Sequence, residues 1–188
     1  MNIKFICPRC KQILVFKSYN YYCPKCNKEY PIHKGIIDFT DSHTQNELYK
    51  EINMQFSHSP IGSKIRFMNF GLAYMPEGPD PENVIRQKVN RNSIRLLEYI
   101  FSSLNLKNKV LLDIGCGRGG TLLYCSMKEP SSFRIGIDNC IEGLKVIPFH
   151  ENELLLCADS SNIPLCNNSV DIIVCIESFH AFDKKNFR

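Results

Sequence analysis

The chain has 188 residues, of which 44% are apolar and 22% charged, with a formal net charge of +4. This is the composition of a soluble globular protein, without repeats or low-complexity tracts. No apolar run approaches the roughly 20 residues that a membrane-spanning helix needs, which excludes that class.

The first chemistry-bearing feature is a double cysteine knuckle. Cys7-Pro-Arg-Cys10 and Cys23-Pro-Lys-Cys26 form C-x2-C-x12-C-x2-C. Two such pairs supply four thiolates to a tetrahedral Zn²⁺. The proline inside each pair favours the tight turn that aims both sulfurs at one point. Ile13–Phe16 and Tyr19–Tyr22 lie between the pairs and can form a short hairpin. The alternative is a pair of disulfides. Met1-Asn-Ile-Lys-Phe-Ile6 has no apolar core of a signal peptide, and six further cysteines are scattered through the body. Both points argue for a reducing, cytoplasmic setting and for metal. A unit of about 40 residues buries too little to fold without a staple, so the zinc reads as structural. Residues 1–34 carry seven Lys/Arg and one acid, a net +6, and the remainder is −2. A basic ribbon could touch RNA. A solvated charged surface is the plainer reading, and no RNA-reading motif accompanies it.

Residues 40–60 are polar and read as a linker that becomes helical near Glu47–Phe56. Phe67–Tyr74 follows, and then a proline-rich turn, Pro76–Pro81. Asp80-Pro81-Glu82 starts a helix, with Asp as N-cap and Pro at its first position. The spacing predicts that this helix runs to about Ser103, with Val84, Val89, Ile94, Leu97 and Phe101 near one face.

Val110-Leu-Leu-Asp-Ile-Gly-Cys-Gly-Arg-Gly-Gly120 reads as a strand, a tight turn and the opening of a helix. Gly115, Gly117 and Gly119 remove the Cβ atoms that would keep a ligand from the backbone. Asp113, at the strand's end, can accept hydrogen bonds from a ligand amine. The next strand, Phe133–Asp138, ends in an acid 25 positions after Asp113. A β-α-β unit places Asp138 beside the glycine loop, where its carboxylate can take both hydroxyls of a ribose or cap the helix from Ile141. A third strand, Glu153–Ala158, runs into the turn Asp159-Ser-Ser-Asn162. A fourth, Ser169–Ile176, is rich in β-branched aliphatics, as a strand buried on both faces requires. It leads to Glu177-Ser-Phe-His180.

The glycine stretch resembles motif I of class I S-adenosylmethionine-dependent methyltransferases, Asp/Glu-x-Gly-x-Gly-x-Gly. The rival is a dinucleotide site, since Gly115, Gly117 and Gly120 also spell G-x-G-x-x-G. An acid two residues before the first glycine is unusual there and usual in the methyltransferase motif. The resemblance covers roughly residues 81 to 188. It implies an α/β fold with a Rossmann-like sheet of about four parallel strands, preceded by a small zinc ribbon. It implies S-adenosyl-L-methionine as cofactor, with Asp138 on the ribose and Asp159 on the adenine amine near the Ser160 backbone. The implied contact set is Asp113, Gly115, Cys116, Gly117, Gly119, Asp138, Asn139, Ala158, Asp159, Ser160 and Glu177. Ile163-Pro164-Leu165 resembles the turn that follows in this family. Glu177-Ser-Phe-His180 resembles the segment lining the space between the cofactor's methionine end and the acceptor. His180 would then lift a proton from the acceptor or contact it, as imidazole can near neutral pH.

Tyr30–Phe39 resembles the closing segment of zinc ribbons that precede some methyltransferase domains, which makes Cys7, Cys10, Cys23 and Cys26 the metal ligands. Met68-Asn-x-Gly-x-x-Tyr74, with Gln87 and Asn90, is similar to methyltransferases that modify polyketides, nonribosomal peptides and related lipids, where this segment helps shape the acceptor pocket. The expected organisation is a zinc ribbon over 1–40, a linker and acceptor-side lid over 41–80, and an incomplete methyltransferase domain over 81–188. The expected reaction is methyl transfer to an oxygen or nitrogen of a small molecule. Ribosomal RNA bases are an alternative acceptor, and a non-catalytic cofactor-binding or partner fragment is a third reading. A complete sheet of this family has seven strands, and the sequence offers four. Val170–Ile176 is therefore expected to be an apolar edge that self-associates or meets a missing carboxyl-terminal segment.

Overall fold

The structure is a computed structural model that describes residues 3–40 and 47–178. A small antiparallel sheet carries the knuckles: β1 (Val15–Lys17), β2 (Asn20–Cys23) and β3 (Lys28–Tyr30). β4 (Ile32–His33) and β5 (Ile36–Asp38) follow and join the main sheet. That sheet also holds β6 (Val110–Ile114), β7 (Phe133–Asp138), β8 (Glu153–Cys157) and β9 (Ile172–Val174). Its order is β4-β5-β8-β7-β6-β9. β5 through β9 are parallel, and the four strands expected from the sequence stand in the order third, second, first, fourth. The chain works outward from β6 to β8, then returns to the other side of β6.

Alternation along the strands sends side chains to two cores. Leu111, Leu155 and Cys157 face the helical side, packing with α3 (Arg91–Phe101), α4 (Gly120–Lys128) and α5 (Ile141–Leu144). Val110, Leu112, Ile135, Ile137 and Leu156 face the other side and pack with Phe5, Leu14, Tyr30 and Phe39. The ribbon therefore covers the second face of the sheet. The expectation that it is too small to make a core of its own meets this answer: it shares one. Each fully buried Leu or Ile there contributes roughly 1.5–3 kcal/mol.

Three expectations are corrected. The helix from Glu82 does not continue to Ser103. It forms α2 (Glu82–Ile85), breaks, and resumes as α3 after Asn90, which sits at φ 60° in the left-handed region. Val89, expected on the buried face, is 72% exposed. Arg91 fills the break by donating to the Ile85 and Gln87 carbonyls. Asp80 does not cap a helix. It grips Arg95 through two hydrogen bonds of 2.6 Å, while Pro81 takes the N-cap position. The fourth strand is regular only over Ile172–Val174 and is not buried on both faces, since Ile173 is 58% exposed. The helix expected near Glu47–Phe56 is α1 (Glu47–His58). Among the described residues, no helix is long and apolar enough to cross a membrane.

Candidate cofactor site and thiol cluster

A cleft of about 510 Å³ opens at the carboxyl ends of β6, β7, β8 and β9. This is where the chain reverses direction across the sheet, the place where ligands bind in open α/β folds. The volume suits a small organic cofactor.

The loop after β6 is shaped by its glycines. Gly115 has φ +72°, and a Cβ there would lie 2.5 Å from Ser178 Cβ. Gly117 has φ +53°, and Gly119, at φ +74°, is the N-cap of α4. The Gly117 N–H donates to Asp138 Oδ2 at 2.8 Å, and the Cys140 N–H donates to Asp138 Oδ1 at 2.8 Å. Asp138 thus locks the glycine loop to the end of β7. Burial pushes its carboxyl above the usual range, opposed by those two amides. A carboxylate has about four acceptor sites, so both oxygens retain capacity for a ligand's hydroxyls.

Nine of the eleven expected cofactor residues line this cleft together: Gly115, Cys116, Gly117, Asp138, Asn139, Ala158, Asp159, Ser160 and Glu177. Asp159 Oδ1 also accepts from the Ser161 N–H at 2.8 Å, so it shapes its own turn. Asp113 and Gly119 are not on the wall. Asp113 shares strand parity with Leu111, so its side chain points to the helical core and is only 2% exposed. Desolvation pushes it up to about 7, opposed by a hydrogen bond with Thr121, and its Oδ2 has no partner among the described residues. Gly119 is needed for packing, since a Cβ would meet Ile147 at 2.8 Å and Arg66 at 2.9 Å. Burial also pushes the Cys116 thiol well up, leaving it neutral. His180 lies outside the described residues.

Glu177 is bound differently from the expectation. It sits at φ +52°, and its carboxylate accepts from the Phe70 N–H at 2.7 Å and the Gly71 N–H at 3.4 Å. It fastens the segment around Met68–Gly71 over the cleft. The α3 side fastens the same segment: Ser93 donates to the Asn69 carbonyl, and Arg95 to the Leu72 and Ala73 carbonyls. The sequence missed Tyr49, Asn53, Arg66 and Thr121, which also line the cleft. Arg118, a variable position of the glycine motif, explains how α1 reaches the site. Its side chain is fully buried and donates to Ile65 O, Asn53 Oδ1 and Gly62 O at 2.7–3.0 Å. Arg66 donates in return to the Arg118 carbonyl. No local signal marks these residues, because their partners are more than fifty positions away.

The four knuckle cysteines form a second site, with all four Sγ atoms within 4.8 Å of one another. Cys7 and Cys26 stand 3.8 Å apart, and Cys10 and Cys23 3.5 Å. A disulfide needs about 2.05 Å. Four sulfurs at about 2.3 Å from a tetrahedral ion stand roughly 3.8 Å apart, so the cluster fits a bound metal. Burial pushes the Cys7 thiol up, but hydrogen bonds from Tyr30 and from the backbone of Cys10 and Arg9 bring it down to about 6. Tyr30 Oη lies 3.1 Å from Cys7 Sγ.

A parallel sheet that reverses beside its glycine loop, with an acid at the next strand's end, defines a Rossmann-like cofactor-binding fold. Residues 112–187 match the methyltransferase domain family. That match supports reading this part of the chain as a class I S-adenosylmethionine-dependent methyltransferase domain. The chain is 30% identical over 158 residues to a phthiotriol/phenolphthiotriol dimycocerosates methyltransferase of Mycobacterium leprae, covering 78% of this chain and 57% of that protein. It is 23% identical over 121 residues to a fatty-acid O-methyltransferase of Mycolicibacterium smegmatis, covering 63% of this chain and 44% of that protein. The chain thus spans about half the length of these relatives. Among solved structures it is similar to the apo form of a mycolic acid cyclopropane synthase, at a TM-score of 0.46 and 18% identity, over 75% of this chain and 47% of that one.

Proposed function

We propose that the cleft binds S-adenosyl-L-methionine and that the protein transfers its methyl group to an oxygen or nitrogen of a lipid-like small molecule. The observation that carries this reading is the Asp138 carboxylate, which holds the Gly117 amide and still lines the cleft. Bound there, the cofactor supplies a methyl group on a sulfonium, already a good leaving group. The chain's part is to hold both partners in line, which accounts for most of such a rate.

Asp138 takes the ribose hydroxyls. Asp159 takes the adenine amine, with Ala158 and Ser160 beside it. The backbone at Gly115, Cys116 and Gly117 leaves room for the methionine end. Arg66 contributes a cation to the same cleft. Glu177 holds the Met68–Gly71 segment as the acceptor-side wall. Met68 and Phe70 make that wall apolar, and Phe70 is 91% exposed. That surface and the acceptors named for the relatives support a lipid-like substrate. His180, two residues beyond Ser178 of the cleft, is the proposed proton acceptor. The four cysteines hold a structural Zn²⁺. Ten cysteines kept as thiols or metal ligands would suit a reducing, cytoplasmic setting.

Calorimetric titration with S-adenosylhomocysteine tests the site. One molecule should bind per chain, and Asp138→Ala should weaken binding by roughly 1–3 kcal/mol, the cost of unpaired buried donors. NADH bound by a chain that ignores S-adenosylhomocysteine would overturn the reading.

A further inference from the structure

The turn on the adenine side of the cleft, residues 158–166, is held from behind by the ribbon. The Ile6 N–H donates to the Pro164 carbonyl at 3.0 Å, and the Cys166 N–H donates to the Lys4 carbonyl at 3.3 Å. Phe5 and Leu165 form an antiparallel bridge, and both are buried. Lys11 Nζ donates to Asn162 Oδ1 at 3.0 Å. All four contacts come from residues 4–11, the segment that carries Cys7 and Cys10. The ribbon's tail holds the start of the same turn, because the Phe39 N–H donates to the Cys157 carbonyl at 2.7 Å. Within the turn, the fastenings are the Ser161 and Asn162 amides on Asp159.

The first knuckle is braced by the Leu14 N–H on the Phe5 carbonyl, the Ile6–Ile13 bridge and the Cys7–Tyr30 contact, and it closes on its own backbone. The Cys7 N–H donates to Gln12 O and the Lys11 N–H to Cys7 O, closing one turn. The thiols of the two knuckles stand 3.5–3.8 Å apart, the spacing of ligands on one ion and not of a disulfide. A metal bound to all four thiolates joins residues 7–10 to 23–26 and so fixes the segment on which residues 158–166 rest.

We infer that the metal-loaded ribbon positions the cofactor site, so that zinc and cofactor bind with positive coupling through the Phe5–Leu165 bridge and the Lys11–Asn162 bond. This rests on reading the cleft as the S-adenosylmethionine site. Coupling between two sites is reciprocal, so the cofactor side must tighten the metal as much as the metal tightens the cofactor. Lys11 and Asn162 are positioning residues: neither lines the cleft.

The test uses the full chain loaded with zinc. Apparent zinc affinity is measured at equilibrium against a chromophoric chelator, with and without saturating S-adenosylhomocysteine, whose binding is confirmed in parallel by calorimetry. Saturation should tighten zinc about 5-fold or more, the lower end of typical couplings. Asn162→Ala should reduce that factor while leaving zinc affinity without ligand unchanged, a pattern that a merely destabilised fold would not give. Unchanged zinc affinity on a chain that does bind S-adenosylhomocysteine would overturn the coupling. The full factor retained in Asn162→Ala would remove the Lys11–Asn162 bond from it. No S-adenosylhomocysteine binding at all would instead sink the reading of the cleft.

Discussion

Asp113 shows how far a motif residue can be read from sequence. Its identity and position at a strand's end were legible. Its orientation was not, because it depends on which parity of β6 faces the helices. The result is an acid buried against Thr121 with one oxygen lacking a partner among the described residues. Burial pushes its carboxyl from the usual carboxylate range, near 4, up to about 7. Between those pH values the folded chain binds the extra proton, so stability falls as pH rises through the window. We expect wild type to lose on the order of 4 kcal/mol between pH 4 and pH 7 through this group. Asp113→Asn should flatten that part of the profile, measured as urea midpoints against pH. Equal slopes in the two proteins would contradict this origin. Asp138, Asp159 and the glycines were legible because their chemistry is local. Arg66, Arg118 and Asn53 were not, since side chains meeting across fifty or more residues leave no periodic trace.

At the scale of elements, the parallel strands were the most legible feature. Runs such as Val110–Ile114 and Glu153–Cys157 are short and mostly apolar and end at turn-forming residues, as buried strands do. The helix from Glu82 was misread because periodicity is blind to one residue in the left-handed region, here Asn90. β5 was missed as a partner of β8, because a three-residue strand has no pattern of its own. The edge expectation for the fourth strand has a visible counterpart: β9 ends the described sheet and carries exposed Ile173. Such an edge recruits further strands. Were copies of the chain to pair along this edge, Ile173→Lys would lower the weight-average mass in sedimentation equilibrium without changing cofactor binding. An unchanged mass distribution would place any association elsewhere.

At the scale of the whole molecule, the ribbon and the sheet form one body with two cores. The cysteine spacing announced the ribbon, but no sequence pattern could announce that Phe5, Leu14 and Phe39 pack against Leu112 and Ile135. Loss of the metal should therefore reach the sheet. Purified protein should hold about one zinc per chain, and Cys23→Ser should lose it. The variant should also unfold at lower urea, since removing a structural metal removes folding free energy. A metal-free chain with unchanged stability would show that the cluster is not structural. The central claim, that the cleft at the sheet's reversal is a methyl-donor site, is tested most directly by photolabelling. Ultraviolet irradiation with S-adenosylmethionine carrying a tritiated methyl group should label the wild-type chain. Excess S-adenosylhomocysteine should block the label, excess NADH should not, and Asp138→Ala should lose most of it. A label that NADH blocks, or that survives excess S-adenosylhomocysteine, would contradict the account.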